Sequence, residues 1–200
     1  MGDAGHYFDP APGVPSQERE VRLDLPDRSL RLTTDRGVFS GDRVDPGTKY
    51  LLLEAPAPPA AGTFLDLGCG YGPIACTLAA RIPAATVWAV DVNRRALELC
   101  GRNARALGLG NVHAVEPDSV PADLVVDLLW SNPPIRVGKQ ALHDLLTTWL
   151  ARLTPTGRAI LVVQKHLGAD SLQQWLTASG WPTERLGSRT GYRLLEVRPS

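Results

Sequence analysis

The 200-residue sequence lacks features that would place it in several protein classes. It has only three cysteines, Cys69, Cys76 and Cys100, and their odd number and wide spacing are typical of reduced thiols, not of disulfides or a zinc site. No apolar run reaches the roughly 18 residues of a membrane-spanning helix, and the first residues lack the basic and then apolar segments of a signal peptide. The sequence therefore predicts a soluble, cytoplasmic protein with no metal and no membrane partner.

The sequence also lacks an excess of charge of either sign, because 21 basic residues balance 21 acidic ones. A nucleic-acid partner must therefore be held by a local patch and not by an overall positive field. The length predicts one domain with a full α/β core, and such a neutral chain is compatible with a monomer. We expect an N-terminal arm, a hairpin and a helix in 1–56, and the core in 63–200.

Strand and helix patterns alternate along the predicted core. Strand patterns occupy 63–67, 85–90, 112–115, 124–130, 158–164, 184–188 and 192–198, and helix patterns occupy 74–82, 93–107, 140–153 and 171–179. Strands separated by helices predict a mostly parallel, doubly wound sheet of seven strands, whose last two form an antiparallel edge hairpin. Upstream, 20–25 and 29–34 alternate polar and apolar residues, which predicts an N-terminal β-hairpin, and Pro46 can begin a helix.

A glycine-rich loop, Asp66-Leu67-Gly68-Cys69-Gly70-Tyr71-Gly72, follows the first core strand, where doubly wound sheets bind ligands. Gly68, Gly70 and Gly72 lack Cβ atoms, so a ligand can approach the backbone closely. The spacing differs from the G-x-G-x-x-G of dinucleotide folds, and Asp66 would be a poor neighbour for phosphates. Asp66 would instead suit the amino-acid end of S-adenosylmethionine, directly or through water. An ordinary strand-to-helix turn is the alternative.

Two further acidic positions extend the predicted cofactor site. Asp91 ends the second core strand beside Val92, and a carboxylate there can accept hydrogen bonds from two ribose hydroxyls. Its alternative role is to cap the next helix, for which Asn93 is itself competent. Asp118 follows the third strand and can accept a hydrogen bond from the adenine amino group, although a plain surface turn is the competing interpretation.

A second motif, Ser131-Asn132-Pro133-Pro134-Ile135, follows the fourth core strand and so emerges at the same sheet edge as the glycine loop. The prolines remove two N–H donors and direct carbonyl oxygens outward, and the side-chain oxygen of Asn132 adds an acceptor. Two acceptors can hold a planar amine and turn its lone pair towards a methyl sulfonium. The motif therefore predicts methyl transfer to nitrogen without a metal. Alone, it would indicate only a polyproline turn.

With these motifs the chain resembles the class I methyltransferases that carry Asn-Pro-Pro, and among them the small-subunit ribosomal RNA methyltransferase C family, which modifies guanine N2. Further matching segments are His6-Tyr7-Phe8, Val38-Phe39-Ser40, Asp45, Gly47-Thr48, Gly138-Lys139, Val163 with Lys165, and Gly191-Tyr192-Arg193. The resemblance implies a Rossmann-like fold, S-adenosylmethionine as cofactor, and ribosomal RNA or a ribosomal subunit as partner. It also implies that Phe39 and Ser40 close over the cofactor and that Ile135 flanks the target base.

The chain departs from its relatives at two points. Ile135 replaces the aromatic residue that stacks on adenine or glutamine in Asn-Pro-Pro-Tyr and Asn-Pro-Pro-Phe enzymes. Larger members of the family also carry an N-terminal companion domain of the same fold, whereas this sequence has only the hairpin.

Three functions follow from these patterns. The first is guanine-N2 methylation of ribosomal RNA, for which we expect Arg136 and Lys139 to contact phosphates, although most such charges simply solvate a surface. The second is N5-glutamine methylation of a protein. The third is a non-catalytic RNA-binding or ribosome-assembly factor that keeps the methyltransferase fold as a scaffold.

Overall fold

The computed structural model describes residues 16–38 and 43–200, which form one seven-stranded sheet, a separate hairpin and flanking helices. The strands are β1 Arg19–Leu25, β2 Arg28–Thr34, β3 Gly62–Leu67, β4 Ala85–Val90, β5 Val112–Val115, β6 Val126–Ser131, β7 Leu153–Gln164, β8 Thr183–Arg189 and β9 Tyr192–Val197. The helices are α1 Pro46–Glu54, α2 Pro73–Arg81, α3 Arg94–Ala106, α4 Lys139–Leu150 and α5 Ala169–Ala178. Short 3₁₀ turns cover Pro117–Ser119, Ile135–Val137 and Lys165–Leu167.

The strand order in the large sheet is β5-β4-β3-β6-β7-β9-β8. The first five strands pair in parallel, and β9 pairs antiparallel with both β7 and β8. These pairings confirm the predicted doubly wound sheet with an antiparallel edge. The strand order reverses between β3 and β6. The strands β4 and β5 are added on one side of β3, and β6 and β7 are then added on the other side. Ligand crevices in open α/β sheets form at such a point.

The sheet has an apolar core on each face, as the alternation of strand side chains requires. Phe64 and Trp130 point to the face covered by the hairpin and α1–α3, whereas Leu65 and Leu129 point to the face covered by α4 and α5. All four side chains are completely buried. The central strands β3 and β6 are therefore fixed on both sides, which gives their carboxyl ends a rigid position.

The N-terminal hairpin packs on α3 through a buried amide. Asn103 is 3% exposed, and its side chain accepts a hydrogen bond from Thr33 N at 2.8 Å and donates one to Thr33 O at 2.9 Å. The same Nδ2 donates to the carbonyl oxygen of Tyr71 at 2.8 Å. Asn103 thus joins β2, α3 and the glycine loop. The predicted hairpin is confirmed, and it lies against the core as part of its packing.

The boundary between α4 and β7 differs from the prediction. The helix ends at Leu150, and Leu153 is already the first residue of β7, so the predicted helix over 140–153 is too long and the predicted strand over 158–164 too short. Leu153 pairs with Val126, and the register shifts before Leu128 pairs with Arg158. Pro155, within this irregular stretch, cannot donate to a regular ladder. Local patterning missed these residues because Thr154-Pro155-Thr156-Gly157 has no apolar alternation and reads as a turn.

Among the described residues, no helix is both long and apolar enough to cross a membrane.

Candidate active site

The glycine loop leaves the end of β3 and is held by the neighbouring strand. The backbone N–H groups of Gly68 and Cys69 donate to the carbonyl oxygen of Val90, at 2.8 and 3.0 Å. Gly70 has a φ of 54°, and no atom lies within 4 Å of the position that a Cβ would take there. The backbone at Gly70 therefore faces open space, as a loop that cradles a ligand must.

The last glycine of the loop has a different role. At Gly72, φ is 91° and a Cβ would lie 2.6 Å from the sulfur of Cys100. Gly72 is the N-cap of α2, so its missing side chain allows α2 to pack closely on α3. It lies outside the residues that line the cavity described below.

Asp66 lies beneath the glycine loop and not on its surface. Its side chain is fully buried, and Oδ2 accepts a hydrogen bond from the backbone N–H of Ala75 at 2.9 Å. Desolvation raises the pKa of Asp66 to about 8, against a lowering contribution from the Ala75 hydrogen bond and a further rise from the charge of Asp91. Its Oδ1 has no hydrogen-bond partner among the described residues. Asp66 is therefore a buried partner of the first turn of α2, which follows the glycine loop, and its Oδ1 faces no partner among the described residues.

Asp91 holds the glycine loop from the end of β4. Its Oδ2 accepts a hydrogen bond from Gly70 N at 2.8 Å, and its Oδ1 accepts one from Asn93 N at 2.9 Å. Desolvation raises the pKa of Asp91, and these backbone hydrogen bonds oppose the rise. Asn93 caps α3 by accepting from Ala96 N, which confirms that Asp91 is not needed as the cap. Each carboxylate oxygen keeps a second lone pair, so Asp91 fits two ribose hydroxyls as well.

The ends of β3 and β6 are tied together where the second motif begins. Ser131 is fully buried, and its hydroxyl donates to the carbonyl oxygen of Leu67 at 2.6 Å. Asn132 follows immediately, so the two motifs, 64 residues apart in the chain at this contact, emerge side by side. The expected meeting of the glycine loop and Asn-Pro-Pro at one sheet edge is confirmed.

The Asn-Pro-Pro backbone forms a tight turn. The carbonyl oxygen of Pro133 accepts a hydrogen bond from Ile135 N at 2.8 Å, and that of Pro134 accepts one from Val137 N at 3.2 Å. The sequence did not predict these internal partners. A carbonyl oxygen has two lone pairs, so Pro133 still offers one acceptor position to an incoming amine.

The side chain of Asn132 is oriented by the N-terminus of α1. Its Nδ2 donates to Asp45 Oδ1 at 2.8 Å and to Thr48 Oγ1 at 3.1 Å. Both amide hydrogens thus have acceptors on α1. The side-chain oxygen, Oδ1, is the atom left for a substrate.

A cavity of about 790 Å³ lies at the carboxyl ends of β3 and β6, the two strands between which the strand order of the sheet reverses. Ten of the predicted site residues line it: Gly68, Cys69, Gly70, Asp91, Val92, Asn132, Pro133, Pro134, Ile135 and Arg136. Four predicted site residues do not line it: Asp66, Gly72, Asp118 and Lys139. Asp118 and Lys139 are exposed, one residue after Pro117 and two residues after Val137, which do line the cavity. Phe39 and Ser40 fall outside the described residues. Cavities of this size accommodate ligands as large as a nucleoside cofactor.

Several lining residues were not predicted. Asp45, Thr48 and Tyr192 close the side of the cavity next to Asn132, and Leu145 and Trp149 of α4 form an apolar wall opposite. Asp45 precedes Pro46 at the start of a helix, which is a recognisable capping pattern, but nothing local shows that it reaches Asn132.

Tyr192 is the first residue of β9 and also lines the cavity. A Cβ at Gly47 would lie 2.5 Å from its ring, so the tyrosine packs against the backbone of α1 at the cavity wall. Burial raises the pKa of Tyr192, and so does the charge of Asp45. The ring is therefore a neutral, largely apolar surface beside the reacting edge.

Comparison with known proteins decides the family. Residues 29–196 match the family described as Methyltransferase small domain. The chain belongs to this family. Membership confirms the resemblance to Rossmann-like methyltransferases that is visible in the motifs, with S-adenosylmethionine as their cofactor.

The match to this chain covers different fractions of its relatives' lengths. An uncharacterised protein of Bacillus subtilis, YbxB, is 32% identical over 196 residues, which are 96% of this chain and 98% of that protein. Ribosomal RNA small subunit methyltransferase C of Pseudomonas aeruginosa is 32% identical over 195 residues, which are 94% of this chain and 57% of that enzyme. The chain thus spans nearly all of the first relative and about half of the second.

A solved structure has the same fold. The T. thermophilus 16S rRNA N2 methyltransferase, determined with AdoMet and guanosine, superposes with a TM-score of 0.78 at 23% identity. The match covers 95% of this chain and 53% of that one. At this identity the likeness establishes the architecture alone.

Proposed function

We propose that this protein transfers a methyl group from S-adenosylmethionine to the exocyclic N2 of a guanine in small-subunit ribosomal RNA. One observation carries the proposal. Asn132 and Gly70 line the same cavity, and the relatives of this chain include enzymes named as ribosomal RNA small subunit methyltransferases. Ribosomal RNA, naked or within a subunit, is therefore the proposed partner.

The residues around Asn132 have the chemistry that an aromatic amine requires. Bound S-adenosylmethionine supplies an electrophilic methyl group on a sulfonium. Asn132 Oδ1 and the carbonyl oxygen of Pro133 can each accept a hydrogen bond from one N–H group of the same amino group. This pair of hydrogen bonds holds the lone pair of the nitrogen in a fixed direction. The same oxygens stabilise the positive charge that develops on nitrogen, and the released proton can pass to water. Ile135 at the cavity wall offers an apolar surface to the base.

The cofactor would be held at the other end of the cavity. Asp91 would bind the ribose hydroxyls, and Val92 would contact the adenine ring. Asp118 lies one residue from the lining residue Pro117, so its carboxylate would bind the adenine amino group from the rim. Phe39 and Ser40 are further proposed cofactor-binding residues on the resemblance to the family alone, and Asp66 would act indirectly, through the start of α2.

RNA would enter past the basic rim of the cavity. Arg136 and Arg43 line the mouth, and Lys139 is exposed at the start of α4. Phosphates attract such side chains without base specificity, so this rim would position the strand while the cavity selects the base. The active form that we propose is a cytoplasmic monomer, in keeping with a chain that has no excess charge of either sign.

Methyl transfer to candidate acceptors tests the proposal. Small ribosomal subunits, naked small-subunit RNA and release factors would be prepared from a strain that lacks the gene, and each would be incubated with the protein and tritiated S-adenosylmethionine. We expect label in the RNA, and nucleoside mass spectrometry should identify N2-methylguanosine. Label in protein alone would replace this function with glutamine methylation, and cellular function that survives Asn132→Ala would favour a scaffold role.

A further inference from the structure

The direction of the Asn132 amide is determined by its neighbours. A carboxylate can only accept hydrogen bonds, so the group that faces Asp45 Oδ1 at 2.8 Å must be the NH2 of Asn132 and not its oxygen. The second amide hydrogen reaches Thr48 Oγ1 at 3.1 Å. With both hydrogens engaged on the side of α1, the amide oxygen is directed away from that helix.

The two acceptors belong to one rigid element. Asp45 is the N-cap of α1, and its Oδ1 also accepts the backbone N–H of Thr48 at 2.9 Å. Pro46 occupies the first turn, which restricts the backbone at the cap. Thr48 is 4% exposed, and Leu51 and Leu52 anchor the helix in the core. The backbone that carries both acceptors is therefore held by the cap and by the buried face of α1.

We propose that Asp45 and Thr48 are positioning residues that hold Asn132 Oδ1 towards the amine to be methylated. The inference rests on the proposed transfer to nitrogen and adds the residues that make Asn132 competent for it. An unrestrained asparagine can rotate by half a turn and present its NH2 to the substrate, which is a donor facing a donor. The carboxylate disfavours that state, and its charge also strengthens the hydrogen bond that prevents rotation.

Two pairs of variants separate positioning from general packing. Asp45→Asn keeps the size and the helix-capping capacity of residue 45 but removes the charge, which weakens the hydrogen bond that holds the Asn132 amide. Asp24→Asn makes the same change on the exposed face of β1 and is the matched control. Thr48→Val removes only the hydroxyl acceptor, whereas Thr48→Ser retains it. Turnover on RNA, KM for RNA and cofactor affinity by calorimetry would be measured for each protein.

We expect Asp45→Asn to lower kcat by about 10- to 100-fold, as misdirection of a reacting group does, with cofactor affinity within about twofold of wild type. Thr48→Val should lower kcat in the same way but by less, and Thr48→Ser should retain more turnover than Thr48→Val. Asp24→Asn should match the wild-type protein. Loss of folding would instead reduce turnover and cofactor binding together.

Other outcomes would overturn the inference. An unchanged kcat in Asp45→Asn would show that Asp45 does not position Asn132. A loss of cofactor affinity as large as the loss of kcat would show the same. If Asp45→Asn does not fold, the Thr48 pair decides, and equal turnover of Thr48→Val and Thr48→Ser would reject the proposal. Failure of the proposed function looks different, because the wild-type protein itself would then leave RNA nitrogen unmethylated.

Discussion

Asp91 accepts a hydrogen bond from the backbone N–H of Gly70 at 2.8 Å, so one carboxylate both shapes the glycine loop and borders the cavity. The acid at the end of β4 therefore holds the loop independently of any ligand. We expect the affinity for S-adenosylmethionine to depend on it.

Replacement of Asp91 by alanine should weaken S-adenosylmethionine binding. The loss of hydrogen bonds to a charged group costs about 1.5–3 kcal/mol, which corresponds to roughly 10- to 150-fold in Kd. Isothermal titration calorimetry of the purified protein measures this directly. Asn132→Ala is the reciprocal control, since it should abolish most turnover but leave Kd for the cofactor nearly unchanged. Wild-type affinity in Asp91→Ala would exclude Asp91 from the cofactor site.

The buried Asp66 predicts a pH-dependent stability. An ordinary aspartate has a pKa of about 3.9, whereas burial raises that of Asp66 to about 8. Between these values the folded state holds a proton that the unfolded chain releases, so stability falls as pH rises through this window. The contribution of Asp66 has a slope of up to about 1.4 kcal/mol per pH unit.

Asp66→Asn should remove this slope, because an amide does not ionise and its oxygen can still accept from Ala75 N. Urea unfolding without cofactor, at pH 5 and at pH 8, would compare the two proteins. We expect the variant to gain stability relative to wild type at the higher pH. Parallel pH dependence in both proteins would show that Asp66 is ionised in the folded state.

Asn103 should be essential for the attachment of the hairpin. Asn103→Ala leaves the half-buried N–H and C=O of Thr33 and the buried C=O of Tyr71 without this partner, at a cost of about 2–4 kcal/mol. Denaturant unfolding followed by far-ultraviolet circular dichroism would give the value. Glu98→Ala, at an exposed position of the same helix, should stay within about 0.5 kcal/mol of wild type. Equal stability of the two variants would contradict this role.

Arg136 and Lys139 should determine the salt dependence of RNA binding. Each phosphate contact that is lost should reduce the slope of log K against log salt concentration by roughly 0.7–0.9. Arg136→Ala and Lys139→Ala would be compared with Arg105→Ala, an exposed residue in the last turn of α3. Fluorescence anisotropy with a labelled RNA, at several salt concentrations, provides the slopes. A change in Arg105→Ala as large as in the other two would show that the contact is diffuse.

The architecture and the two motifs of the site are predictable from the amino-acid sequence alone. Apolar strands separated by amphipathic helices require a parallel sheet, and the carboxyl ends of parallel strands share one edge. Gly70 after β3 and Asn132 after β6 therefore had to emerge on the same side. Asn93 was recognisable as a helix cap because capping depends on residues only a few positions away.

The residues that surround those motifs depend on long-range packing and are not predictable from local patterns. Asp45 lies 87 residues before Asn132, and their hydrogen bond depends on how α1 packs at the end of β6. Tyr192 and Trp149 reach the cavity from the edge hairpin and from α4, and Asp66 turns out to lie under the loop instead of facing the ligand. Sequence patterns record which face of an element is apolar. Which distant side chain meets which depends on the packing of whole elements, and this packing is what orients the asparagine.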